Sequence, residues 1–106
     1  MGSLFETYVA GELRKQSSLL PGSVGVHHWR TAGGAEVDIV LERDGRHYPI
    51  EIKATTSPAR RDTLSLHAFL DSYPKLAADL GLVIAPVEEP QWLSDRVLAI
   101  PWDLDS

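Results

Sequence analysis

Glu36-Val-Asp-Ile-Val-Leu-Glu42, then Arg43-Asp-Gly-Arg46, then His47-Tyr-Pro-Ile-Glu-Ile-Lys53 is the stretch on which the fold turns. Both runs alternate apolar and polar residues, the period of a half-buried strand, and Asp44-Gly45 between them is a hairpin turn signal. With Arg43 facing Arg46, in a two-residue turn or a four-residue loop alike, Asp38 lies across from Glu51 and Glu36 across from Lys53. Successive strand residues point to opposite faces. These four charges therefore share one face, while Val37, Ile39, Leu41, Ile50 and Ile52 share the other, which is expected to pack into the core. Facing like charges have Cβ atoms about 5 Å apart and destabilise a sheet. A cation, a shared proton or solvent relieves them, and a divalent metal does so most economically. The plainer alternative is a wet hairpin face on which Glu36 and Lys53 form a weak surface ion pair and Asp38 and Glu51 are hydrated.

Outward from the hairpin, Phe5, Tyr8, Val9, Leu13 and Gln16 recur at helical spacing until Pro21-Gly22, which predicts a helix from about Leu4 to Leu19. Ser3 and Glu6 have the form of a capping box at its start. Val24 to Thr31 is rich in β-branched and aromatic residues and ends at Gly33-Gly34, as a strand before a turn does. Beyond Lys53, Ser57-Pro58 opens a polar loop, and Asp62 or Thr63 can cap a helix through Leu66, Phe69, Leu70 and Tyr73. Pro74 breaks or restarts that helix before Leu76 to Leu80. Gly81 to Ala85 is expected as a buried strand, Gln91 to Ser94 as one helical turn, and Val97 to Ile100 as a last strand. The predicted order is αβββαββ, an α/β domain with a mixed central sheet flanked by helices.

The chain has 106 residues, room for one compact domain over 1–106, with 43% hydrophobic and 24% charged residues, so it can bury a real core. The absence of cysteine excludes a disulfide framework, a thiolate zinc site and a cysteine nucleophile. Without a long apolar run or a basic leader at its start, the chain is expected to be cytoplasmic, with no membrane partner. The net charge of −5 is uneven: nine of the ten Lys/Arg lie in residues 1–75, and beyond them Arg96 stands against six Asp/Glu. A local phosphate-attracting face is therefore compatible with an acidic whole. Phosphate-loop, G-x-S-x-G, G-x-G-x-x-G and H-E-x-x-H motifs do not occur, which leaves ATPase, serine hydrolase, dinucleotide-binding and zincin readings without a foothold.

Asp38 followed at a distance by Glu51-Ile52-Lys53 resembles the D…(D/E)-x-K signature of the PD-(D/E)XK nuclease superfamily. Leu4-Phe5-Glu6, Trp29-Arg30-Thr31, Gly34-Ala-Glu-Val-Asp38, Pro49-Ile-Glu-Ile-Lys53 and Ile100-Pro101-Trp102 together look like the uncharacterised C-terminal domain of a group of prokaryotic AAA-type ATPases, assigned to that superfamily. The resemblance spans Leu4 to Leu104. It implies a restriction-endonuclease-like fold and hydrolysis of phosphodiester bonds in DNA with Mg²⁺ or Mn²⁺. On the matching positions it makes Asp38 and Glu51 metal ligands, Lys53 the cation at the reacting phosphate and Glu6 a fourth acidic contributor. The carbonyl of Ile52 could add a ligand. Mg²⁺ prefers a few carboxylate oxygens plus waters, and an amine beside it adds fixed positive charge to the transition state. The partners implied are DNA and an AAA-type ATPase module, and a homodimer suits cleavage of both strands. The competing expectation is a nuclease fold retained as a DNA-binding or protein-interaction module with a degenerate site, which the acidic C-terminal third favours.

Other residues carry two readings each. Glu6 serves equally as the partner of Ser3 in the capping box. Glu36 either holds Lys53 or forms a surface pair. His27 and His28 are adjacent in a strand, point to opposite faces and cannot chelate one metal together. Trp29 and Arg30 either shape the site and stack on bases or belong to core and surface. Arg60 and Arg61 either grip phosphates or are solvated. Trp92 and Trp102 suit an interface or the core.

Overall fold

The alternating runs form neighbouring strands, and the apolar run Gly81 to Ala85 lies in the same sheet beside the second of them. In the computed structural model β1 (Val24–Arg30), β2 (Glu36–Arg43), β3 (Arg46–Ile52), β4 (Gly81–Ala85), β5 (Gln91–Trp92) and β6 (Val97–Pro101) make a six-stranded sheet in the order β1-β2-β3-β4-β6-β5. Its helix α1 (Leu64–Ser72) follows a 3₁₀ turn over Arg60–Thr63. The structure describes Leu4, Tyr8, Val9, Gly11, Glu12 and residues 24–30, 34–43, 45–77 and 79–102, with the backbone alone at 24–27 and 43. Leu4, Tyr8, Val9, Gly11 and Glu12 are helical, in line with the predicted first helix; Glu6 lies outside the described residues. The radius of gyration is 13.0 Å. Among the described residues no helix is long and apolar enough to cross a membrane.

β1, β2 and β3 form an antiparallel meander, β3, β4 and β6 run parallel, and β5 closes antiparallel on β6. The sheet is thus mixed, with parallel strands at its centre buried on both faces. On one face α1 applies Leu66, Phe69 and Leu70, spaced one helical turn apart, against Val40, Val83, Ala85, Val97 and Ala99. On the other, Val9 covers Ile39, Ile50, Ile52 and Ile84, and Tyr8 meets Trp102 edge to face at 6.0 Å. The 3₁₀ turn is fixed by Asp62, whose Oδ2 accepts from Ala59 N–H at 2.8 Å, and by Thr63, whose hydroxyl donates to the Arg60 carbonyl at 2.7 Å. Gly81 is the tightest point of the α1–sheet contact: a Cβ there would stand 3.3 Å from Leu66 Cβ and 3.4 Å from Pro49.

Three expectations are corrected. Gln91 and Trp92 pair with Ala99 and Leu98 as a short edge strand and make no helical turn, so the order gains a strand over αβββαββ. After Pro74 the chain turns without a new helix among the described residues, because Leu76 O accepts from His47 N–H at 3.0 Å and Ala77 bridges to His47. The third correction concerns β2. Its register with β3 is the expected one from Arg43↔Arg46 to Ile39↔Ile50, but its pairing with β1 shifts between His27↔Val40 and Trp29↔Val37. Asp38 and Ile39 thus stand opposite the single residue His28, the count of a β-bulge. The extra residue reverses the alternation, so Val37 joins the α1-side core with Val40 and does not share a face with Ile39, Ile50 and Ile52.

Candidate active site at the end of the hairpin

The bulge and the end of the β2–β3 ladder fall at the same place. Beyond Ile39↔Ile50 the main chains stop pairing, and side-chain oxygens take over as acceptors. Asp38 N–H donates to Glu51 Oε1 at 3.1 Å, and Ile52 N–H donates to Asp38 Oδ2 at 3.3 Å. Each carboxylate is thereby fixed by the main chain of the opposite strand. Lys53 Nζ lies 3.7 Å from Glu51 Oε2, with its side chain 37% exposed. The structure brings together Asp38, Glu51 and Lys53, as the spacing predicted, at the edge where β3 turns from β2 to β4 for partners.

Glu51 is 5% exposed, because Val83 and the α1-side core lie beside it on the sheet. Burial, and next the Asp38 carboxylate, push its pKa up from 4.5 to about 7, against the opposing pull of the Asp38 N–H and of Lys53. The Ile52 carbonyl joins the two carboxylates by direction. In a strand the N–H and C=O of one residue leave on the same side, and Ile52 N–H points at Asp38 while Lys53 N–H donates to Ile84 O at 2.9 Å. Ile52 O is therefore aimed toward β2. Two carboxylates, one main-chain carbonyl and open valence for water make a hard oxygen donor set of the kind that suits Mg²⁺ or Mn²⁺. Among the described residues no third His, Cys, Asp or Glu side chain joins the pair.

The other predicted residues fall elsewhere. Glu36 does not face Lys53. The bulge carries it to β1, where Arg30 Nη2 and Nε approach its Oε2 at 2.9 and 3.1 Å. This replaces the expected Glu36–Lys53 pair. Trp29 packs on the α1 side, edge to face with Phe69 at 5.2 Å. Arg60 and Arg61 are exposed on the 3₁₀ turn after the site strand. Trp92 is 60% exposed on the edge strand and Trp102 44% exposed. One cluster escaped the sequence reading: His67 Nε2 lies 2.8 Å from Ser94 Oγ, and Arg96 Nη2 reaches His67 Nδ1 at 3.3 Å and Asp71 Oδ1 at 3.0 Å. Arg can only donate, so Nδ1 accepts, Nε2 carries the proton, and Ser94 is an acceptor. His67 therefore cannot act as the base for a Ser94 nucleophile, and the cluster ties α1 to the turn before β6.

A mixed α/β sheet with a carboxylate pair and a lysine at the parting of two strands is the class that fold and site define. Within it, the chain belongs to the family described as "Domain of unknown function (DUF4143)", whose sequence profile matches residues 1–104. The uncharacterized protein Rv2008c of Mycobacterium tuberculosis and the uncharacterized protein Mb2031c of Mycobacterium bovis are each 33% identical over 104 residues, or 97% of this chain. Those residues are 21% of either relative, so the chain spans about a fifth of the length of the curated relatives it matches. No solved structure matches it.

Proposed function

We propose that the chain is a PD-(D/E)XK-type nuclease domain, restriction-endonuclease-like in its arrangement, that hydrolyses phosphodiester bonds in DNA with Mg²⁺ or Mn²⁺. The observation that carries this reading is the reciprocal clasp of Asp38 and Glu51 beside Lys53. Lys53 pairs with Glu51, but the buried Glu51 also faces a second acid, so two carboxylates share one amine, an arrangement that costs stability and suits a cation site. Asp38, Glu51 and the Ile52 carbonyl would hold the cation. Once bound, it supplies charge neutralisation at the phosphoryl oxygens and acidifies water. Lys53, partly exposed and beside Glu51, holds a positive charge where a phosphate would approach. A role of the domain beside an AAA-type ATPase module, and a homodimer, belong to the same proposal and rest on the resemblance of the sequence.

Plasmid and linear DNA incubated with Mn²⁺ test it. Wild-type protein is expected to cleave, and Asp38→Ala and Lys53→Ala to lose activity by about 10²-fold or more. No cleavage by any of them, or equal cleavage by all three, removes the catalytic claim. A second reading, a nuclease fold kept as a DNA-binding or protein-interaction module, is favoured by the low exposure of Glu51 and by the exposed Glu88 and Glu89 beyond β4. DNA retention without cleavage would select it.

A further inference from the structure

The crossover from β3 to β4 decides which charges stand at the mouth of the Asp38–Glu51–Lys53 site. β3 and β4 are parallel neighbours joined through α1, so α1 runs back along β3. Its trailing end is fixed at the start of β3, where His47 N–H donates to Leu76 O at 3.0 Å. The 3₁₀ turn and α1, of 4 and 9 residues, together rise about 20 Å, nearly the length of the 7-residue β3. Arg60 and Arg61 therefore stand at the other end of β3, the end that carries Glu51 and Lys53. Those two side chains lie on the α1 face of the strand, since Ile50 and Ile52 take the opposite one. The turn is pinned while its arginines are not. Pro58 and Thr63 are buried on either side of it, Asp62 Oδ2 accepts from Ala59 N–H, and the Thr63 hydroxyl donates to Arg60 O. The Arg60 and Arg61 side chains are exposed, and among the described residues neither forms an ion pair with a carboxylate. By contrast Arg30, at the same end, is taken by Glu36, and Arg96, at the far end, by Asp71. Two adjacent guanidiniums on a fixed turn repel each other, a cost that a polyanion removes. Beyond β4 the exposed Glu88 and Glu89 border a hollow that Thr56 shares, so negative charge closes that side to the same polyanion.

We infer that Arg60 and Arg61 clamp two backbone phosphates of the nucleic-acid strand that enters the site, an inference that rests on the nuclease reading above and adds the residues that carry its substrate affinity. Consecutive residues of a 3₁₀ turn leave its axis a third of a turn apart. The two guanidiniums thus diverge and take separate phosphates, each through the planar fork that matches phosphate oxygens. Lys53 faces the reacting phosphate, and the arginines hold its neighbours on the α1 side, which directs the strand away from Glu88 and Glu89. Contacts of this kind fix register and carry no base preference.

The salt dependence of binding reads the clamp, because each phosphate contact on duplex DNA contributes about 0.9 to the slope of log K against log salt. A fluorescein-labelled twenty-base-pair duplex is titrated in EDTA, from about 25 to 200 mM KCl, against wild type, Arg60→Ala/Arg61→Ala and Arg46→Ala/Lys75→Ala. The last variant removes the same charge from two exposed side chains at the far end of α1. Loss of the two arginines should lower the slope by about 1.8 and weaken binding about tenfold or more at the lowest salt, whereas the far-end variant should lower the slope by less than about 0.5. Arg60→Lys/Arg61→Lys, which keeps the charge, should restore most of the slope. With Mn²⁺, the arginine variant should raise KM and leave kcat within about twofold, as contacts made equally in ground and transition states do. An unchanged slope in the arginine variant, or an equal loss in the far-end variant, overturns the clamp and leaves the nuclease reading in place. Wild type that fails to bind at the lowest salt overturns it too, and Mn²⁺ cleavage then decides the nuclease reading by itself. Should circular dichroism show the alanine pair unfolded, Arg60→Gln/Arg61→Gln takes its place with the same expected slope.

Discussion

Replacing Glu51 by Gln should stabilise the metal-free protein, and do so only above acidic pH. The Glu51 carboxyl is raised from 4.5 to about 7 by burial and by Asp38. A group that holds its proton more tightly in the fold than in the unfolded chain favours the fold while both states are protonated. That advantage is lost as pH rises through the interval between the two values, because the folded state must then release a proton it binds more strongly. At 1.36 kcal/mol for each unit, the interval amounts to roughly 3 kcal/mol of stability present at pH 4.5 and gone by pH 8. Glutamine keeps the shape and an acceptor for Asp38 N–H, adds a donor toward Asp38, and does not titrate. Urea unfolding at pH 4.5, 6 and 8 is the assay. Since other carboxylates and the histidines titrate too, the quantity compared is the difference between wild type and Glu51→Gln. That difference should move in favour of the variant by about 2–3 kcal/mol from pH 4.5 to 8. A difference independent of pH, or one that favours wild type as pH rises, would refute the buried, repelled carboxylate.

Mn²⁺ affinity should rise with pH up to about 7 and then level off, because the cation needs Glu51 ionised and displaces its proton; calorimetry in two buffers of different ionisation enthalpy reads that proton directly. Leu66→Ala empties the fully buried centre of the α1 contact and should cost about 2–5 kcal/mol in urea unfolding. Gly81→Val drives a branched side chain into Leu66 and Pro49 and should cost about 1–3 kcal/mol, read as a lowered thermal midpoint. Gly45 has φ +79, so Gly45→Val should destabilise the hairpin by about 1–2 kcal/mol without altering the site residues, seen as a lower melting temperature at unchanged Mn²⁺ affinity.

Much of this arrangement is legible in the residues. Alternation on either side of Asp44-Gly45 fixes the β2–β3 register, since a slip of one residue would turn Ile39 and Ile50 out of the core. The pairing of Asp38 with Glu51 follows from that register, and the helix over Leu66, Phe69 and Leu70 from its spacing. The bulge does not follow. Nothing in Glu36 to Leu41 marks an extra residue, because it arises from how β2 meets β1, and it moves Val37 between faces and Glu36 from Lys53 to Arg30. β5 was illegible for the same reason: Gln91 and Trp92 are extended only because β6 offers them a ladder. The clasp is also invisible to spacing, since its donors are the main-chain N–H groups of Asp38 and Ile52, which every residue but proline carries.

The cation site itself is tested most directly by soaking crystals of wild type and Asp38→Ala in Mn²⁺ near pH 8 and measuring the anomalous signal. A single peak between the Asp38 and Glu51 carboxylates in wild type, within about 2.5 Å of an oxygen from each and absent from the variant, is the predicted result. No peak there, with the two side chains still held by the opposing main-chain N–H groups, would contradict it.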